Sequence, residues 1–240
     1  MRWSRLGKLA LRSSAAAALI VGGFILARWG SGNTGVVVPA AVYRSAQLTA
    51  RGLTREIERH RIRTVLNLRG PNPDQPWYRA ERAATLTAAA TQVDVPMASD
   101  HWLSRQQART LVELLEGCER PLLIHCEWGA ERTGLAAAFA ELLRPGGSLA
   151  SARRQFSPWY LFLPTRDGRI MRKHLDAYAR WLATARLEHT PQNFRTWVRF
   201  AYHPGYPSRD DWPYDPYPLA VVTRPPTGEA VVKRPVGAVR

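Results

Sequence analysis

The 240-residue chain carries 34 lysines and arginines against 19 acidic residues, and 45% of it is hydrophobic. It is long and apolar enough to bury a core, which excludes a disordered tail or a disulfide-stapled miniprotein, and two cysteines, Cys118 and Cys126, are too few for a four-thiolate zinc site. The +15 net charge is nearly all arginine, spread in ones and twos with no nucleic-acid-binding motif beside it, so a positive surface for anionic or phosphorylated partners is expected and dedicated nucleic-acid binding is not.

Arg2, Arg5, Lys8 and Arg12 precede an apolar stretch at 13–29 whose internal charge is confined to Arg28. As a helix it reaches roughly 25 Å, slightly short of a hydrocarbon core, with Leu9 and Leu11 able to extend it. The competing reading is a cleaved signal peptide, for which the small residues at 30–32 fit only weakly. Four basic residues before the span and one at its end predict a single pass of the cell (inner) membrane, with the N-terminus cytoplasmic and the rest of the chain outside. The expected organisation is a stub and anchor at 1–29, a linker at 30–41, one folded domain at 42–202 and a Pro-rich, poorly ordered tail at 203–240.

Within the domain, Thr49 caps a helix bearing Leu53 and Ile57 on one face, and 64–68 reads as a strand ended by Gly70-Pro71-Asn72-Pro73. A helix over 78–90 leads to the alternating Val93 and Val95. Ser104-Arg105-Gln106-Gln107 then reads as a capping box, opening a helix with Ala108, Leu111, Val112, Leu115 and Cys118 at helical spacing. Residues 121–125 form a short apolar run, the mark of a strand buried on both faces, and 133–143 are apolar nearly all round a helix. This alternation predicts an α/β fold: a mostly parallel central sheet flanked by helices, preceded by one transmembrane helix. Ile170, Met171, His174, Leu175, Tyr178, Trp181 and Leu182 trace a helical stripe, and Thr190-Pro191 starts a last helix with Phe194, Trp197 and Val198. Those aromatics and His174 read as core.

The chemistry is expected between strand and buried helix, at His125-Cys126-Glu127-Trp128-Gly129-Ala130-Glu131-Arg132-Thr133-Gly134. A loop here can curl until successive amides converge on one point, at which the next helix also aims its positive end, and the pair binds a tetrahedral dianion. Gly129 supplies the freedom the curl needs. Arg132 can hold two phosphate oxygens in its planar fork. Cys126 lies where a helix N-terminus and a guanidinium depress a thiol's pKa, so it presents a thiolate to phosphorus, and Thr133 can donate its hydroxyl to that sulfur.

This segment resembles the H-C-x5-R-T signature of the cysteine-dependent protein tyrosine and dual-specificity phosphatases. With Val42-Tyr43-Arg44-Ser45-Ala46-Gln47 and Thr64-Val65-Leu66-Asn67-Leu68-Arg69, the chain is similar over roughly 42–200 to the compact bacterial and fungal-type dual-specificity members. The resemblance implies a phosphatase acting through a phosphocysteine, with no metal and no cofactor. Cys126 would be the nucleophile, Arg132 the phosphate clamp and Thr133 the helper hydroxyl. Residues Glu127, Trp128, Gly129, Ala130 and Glu131 would cradle the substrate, while His125 and Gly134 would support the loop. The family also uses an aspartate acid from a mobile loop. Asp100, between the strand-like segment with Val93 and Val95 and the capping box, is the candidate, with His101 as alternative; Asp94 lies inside the strand, and the usual Trp-Pro-Asp triplet is absent.

The substrate expected is a phosphorylated protein or a small phosphomonoester. Glu127 and Glu131 should repel highly charged head groups, although related fungal-type enzymes act on inositol phosphates and neighbouring arginines could offset them. Three readings stay open: a membrane-anchored phosphomonoesterase, a non-catalytic module that captures phosphorylated ligands, and a rhodanese-type sulfurtransferase. The His125-Cys126 opening and Arg132-Thr133-Gly134 weigh against the last two.

Overall fold

The structure, a computed structural model, describes residues 5–163, 168–205 and 216–225. The basic and apolar N-terminus is one helix, α1 (Arg5–Gly30). Its segment Arg12–Gly30 has the length and composition to cross a membrane, or to serve as a signal sequence, and is not buried by the rest of the protein.

The segment expected as linker instead holds a strand. β1 (Gly35–Val38) turns through Ala40, at φ 58°, and pairs antiparallel with β2 (Val42–Ser45). A period of two is present there, with Val37 buried and Val36 exposed, but a run of three valines hides it. The Thr49 hydroxyl accepts from the Gly52 amide to cap α2 (Ala50–His60), which closes on Arg61 in the left-handed region. β3 (Thr64–Asn67), α3 (Pro76–Thr87) and β4 (Thr91–Asp94) follow. The capping box opens α4 (Arg105–Gly117): Gln107 donates its amide to Ser104 Oγ at 3.1 Å, and Ser104 donates its own to Gln107 Oε1 at 3.2 Å. Beyond it lie β5 (Leu122–His125), α5 (Glu131–Leu143), α6 (Leu149–Arg154), α7 (Gly168–Ala185) and α8 (Pro191–Thr196).

The tail is also more structured than its prolines suggest. Val221–Thr223 forms β6, paired antiparallel with β4, so that it covers a sheet edge; residues 206–215 and 226–240 lie outside the described residues. The sheet order is β1-β2-β5-β3-β4-β6. The expectation of a mostly parallel sheet is therefore corrected to a mixed one, since the inner strands β2, β5, β3 and β4 run parallel but an antiparallel strand closes each side. Crossover helices force the inner strands parallel, whereas β1 returns through a tight turn and needs no crossover.

Alternate residues of each inner strand face opposite layers. Val65 and Leu123 meet Leu53 and Ile57 of α2, while Leu66, Leu122 and Ile124 join the larger core beneath α4, α5 and α7. Helix α5 runs through that larger layer with every residue from Thr133 to Leu143 buried, as its all-round apolar sequence predicts. Tyr178, Phe194 and Trp197 pack ring against ring as core. His174 is buried between the rings of Trp102 and Tyr202, accepts from the Leu103 amide at 3.2 Å, and is held neutral by burial, which lowers its pKa to about 4.

Candidate active site

Strand β5 ends in His125 and α5 begins at Glu131, so residues 126–130 must turn the chain at the C-terminal edge of the sheet's parallel centre. The turn is possible because Gly129 adopts φ +69°, where a Cβ would lie 2.7 Å from both the Ser45 carbonyl oxygen and the Ala46 amide nitrogen. Its carbonyls are tied back on the outside. Gln47 donates its amide to the Glu127 carbonyl at 3.0 Å, Asn33 Nδ2 donates to that of Trp128 at 2.9 Å, and Arg44 Nη2 donates to that of Gly129 at 2.6 Å. With the carbonyls held outward, inward-facing amides make a concavity that can hold an anion.

Cys126 sits buried at the start of that concavity. Burial alone pushes the thiol up, but the Arg132 guanidinium, the Thr133 hydroxyl and the amides of Thr133 and Gly129 outweigh it and hold the thiol below its ordinary value. Thr133 Oγ1 is buried and has no other hydrogen-bond partner among the described residues, so it serves the sulfur. Arg132 Nη1 donates to the Met97 carbonyl at 3.1 Å, which fixes the guanidinium, while its buried Nε has no partner among the described residues. A donor so placed beside a thiolate suits an oxygen of a phosphate bound over Cys126.

Behind the loop, His125 Nε2 lies 3.3 Å from Glu81 Oε1, both side chains buried. Burial would strip the charge from each, but their mutual attraction wins: His125 is raised and Glu81 lowered, which favours the charged form of both. Gln47 and Gln92 also donate to Glu81. His125 Nδ1 lies 3.4 Å from the Cys126 carbonyl, a contact between the imidazole and the start of the loop. Arg44 is wholly buried. It donates to the Gln155 carbonyl at 2.8 Å, stacks 3.7 Å over Tyr160, and is lowered to about 10 by burial, which leaves it charged.

At the rim, Glu127 and Trp128 are exposed, whereas Gly129 and Ala130 are buried and Glu131 and Arg132 are half-buried. Glu127 is 3.8 Å from Arg69, whose guanidinium stacks 3.7 Å over Trp77, so one of the two rim acids is partly neutralised. Gly134 lies under Phe156, where a Cβ would meet the ring at 2.9 Å.

Asp100 lies on the loop between β4 and α4, half-exposed, with His101 Nδ1 at 2.7 Å from its Oδ1. Both ends of that loop are anchored. Met97 is buried and takes the Arg132 hydrogen bond, and Trp102 and Leu103 are buried, Leu103 accepting from the Tyr202 hydroxyl at 2.6 Å. The loop is thus pinned to Arg132 at one end while Asp100 and His101 stand at its apex. Asp94 is buried and accepts from the Tyr78 hydroxyl at 2.6 Å and from Asn67 Nδ2 at 2.8 Å, which occupies it structurally.

Sequence reasoning missed Asn33, Glu81 and Gln155, and it quoted Arg44 and Gln47 without giving them a task. One signal was available: Tyr78, Glu81 and Thr85 share the buried stripe of α3, and a glutamate there demands a partner.

Residues 31–157, just over half the chain, match the family model described as DSP-PTPase phosphatase fused to NAD+ Kinase. The chain belongs to this family of cysteine-dependent dual-specificity phosphatases. The match begins ahead of β1 and ends beyond Gln155, so it takes in Asn33 and both partners of the Arg44 bridge along with the phosphatase signature. Among solved structures, this phosphatase is similar to P. aeruginosa TpbA at 24% identity, over 61% of this chain and 87% of that one, with a TM-score of 0.44. It is also similar to the core catalytic domain of the PP-IP phosphatase SIW14 from S. cerevisiae, at 21% identity over 64% and 92% of the two chains and a TM-score of 0.47. Tk-PTP in its active form matches at 18% identity over 60% and 96%, with a TM-score of 0.44. No curated protein sequence matches significantly.

Proposed function

We propose that this phosphatase is anchored in the membrane by α1 and hydrolyses phosphomonoesters through a phosphocysteine on Cys126. The observation that carries the reading is the convergence on one thiol of the Arg132 guanidinium, the Thr133 hydroxyl and the loop amides, with Arg132 Nε left to an incoming anion. In the first step the thiolate attacks phosphorus as the ester P–O bond breaks, and Asp100 gives its proton to the departing alkoxide or phenoxide. In the second, Asp100 takes a proton from water, whose oxygen displaces Cys126 sulfur and releases inorganic phosphate. Arg132 and the amides tighten on the equatorial oxygens as charge spreads.

Substrates inferred for this site carry one phosphate on an aryl or alkyl group, phosphorylated protein side chains among them. The rim acids Glu127 and Glu131 oppose a second and third phosphate. The full chain is expected to hydrolyse para-nitrophenyl phosphate without added metal and to be blocked by vanadate. Vanadate-bound but inert protein would favour a capture module, and transfer of sulfur from thiosulfate to cyanide would favour a sulfurtransferase.

The charge asymmetry around α1 supports a catalytic domain outside the cytoplasm. A reporter active only in the cytoplasm, fused after Arg240, should be silent. A bright one reverses the topology.

A further inference from the structure

Between the last turns of α1 and the catalytic domain lies an open apolar groove of about 480 Å³. Phe24, Ile25 and Trp29 of α1 form one side, Leu161 and Leu163 the other, and Trp128 of the phosphate loop joins the same lining. The groove therefore reaches the phosphate loop at Trp128. Its volume is that of a small-molecule site, and among the described residues its lining brings no charge into it.

The helix is fixed relative to the loop. Phe24 packs against Trp159 at 5.7 Å, and Arg28 lies 5.2 Å over the same ring. Arg28 Nη2 donates to Asn33 Oδ1 at 2.9 Å, and Asn33 Nδ2 donates in turn to the Trp128 carbonyl at 2.9 Å. One chain of hydrogen bonds thus runs from the end of the apolar helix to the phosphate loop. Around the groove, Trp29, Trp128, Trp159 and Leu163 are 61%, 56%, 59% and 62% exposed. Three tryptophans at one end of an apolar helix form the belt that sits at a membrane–water interface.

From Phe24 to Trp29 the helix rises roughly 8 Å. With Arg12–Gly30 in the bilayer, the groove opens into the outer leaflet directly beside the phosphate loop. A water-soluble phosphopeptide would find no polar partner for its backbone there, whereas a hydrocarbon chain needs none. We propose that the groove between α1 and the phosphate loop receives the hydrocarbon chain of a lipid phosphomonoester, whose single phosphate enters the Cys126 loop. The proposal rests on the phosphatase reading and names its substrate class.

The test uses the full chain in mild detergent and a series of monoalkyl phosphates from ethyl to decyl, kept below micelle formation, with para-nitrophenyl phosphate measured on each preparation as reference. Relative to that reference, kcat/KM is expected to rise with chain length, by up to about fourfold per methylene. Leu163→Glu, and separately Ile25→Glu, should flatten the rise and reduce the decyl-to-ethyl ratio by about tenfold or more. Phosphatidic acid in phosphatidylcholine vesicles should likewise be hydrolysed faster than a phosphotyrosine peptide. A flat series, a rise untouched by both substitutions, or preference for the peptide overturns the groove as a subsite while hydrolysis of the reference keeps the phosphatase reading standing. An inert reference overturns that reading, and the proposal with it.

Discussion

Cys126→Ser lowers turnover by about 10⁴-fold or more, and the variant still binds phosphate and vanadate. The substitution removes the sulfur whose pKa burial alone would raise and which Arg132, Thr133 and the loop amides draw below the ordinary thiol value. A serine hydroxyl in the same cradle has no base to ionise it, so the covalent step stops. The anion site is untouched, because it is made of backbone amides and Arg132. Cys118→Ser, by contrast, retains activity: Cys118 ends α4 on the far side of β5, and no disulfide joins it to Cys126. The same depressed thiol sets the acid side of the wild-type pH profile. Activity requires the thiolate, so it is present above the lowered Cys126 pKa and is lost as pH falls through it, at a pH below that of an ordinary thiol. Single-turnover kinetics and vanadate titration check both halves; a Cys126→Ser protein that turns over, or a dead Cys118→Ser protein, would contradict the placement.

The strand-loop-helix unit was legible because everything that makes it is local. The apolar run before His125, the glycine at 129 and the all-apolar helix after Arg132 are contiguous, and each states its own geometry. What holds the loop was not legible, because it arrives from elsewhere in the chain. Arg44 reaches Gly129 only because β2 lies beside β5 in parallel, with Ser45 opposite His125. Glu81 reaches His125 only because α3 packs across β4. Asn33 depends on where α1 stops. The edge strands were hidden for a different reason: β6 has three residues and β1 is three valines after a glycine, too short or too uniform for polarity to alternate visibly. Prolines around β6 therefore outweighed it, although only its flanks carry them.

Asp100→Asn is expected to cost about 10²–10⁴ in rate on substrates with poor leaving groups. An alkyl or unactivated aryl ester expels a strongly basic oxygen, which needs a proton as the P–O bond breaks, and asparagine has none to give. The acid side of the pH profile should survive, because it reports Cys126. For para-nitrophenyl phosphate the loss should shrink, since nitrophenolate leaves without protonation. This dependence separates the acid from a structural part. Damage to the loop carried through Met97, which Arg132 also grips, would slow both substrate types alike. Equal losses would therefore remove Asp100 from the chemistry and turn attention to His101, whose imidazole lies 2.7 Å away on the same apex and could donate a proton in its place. His101→Gln, compared across the same two leaving groups, would then decide between a proton donor and a partner that orients Asp100.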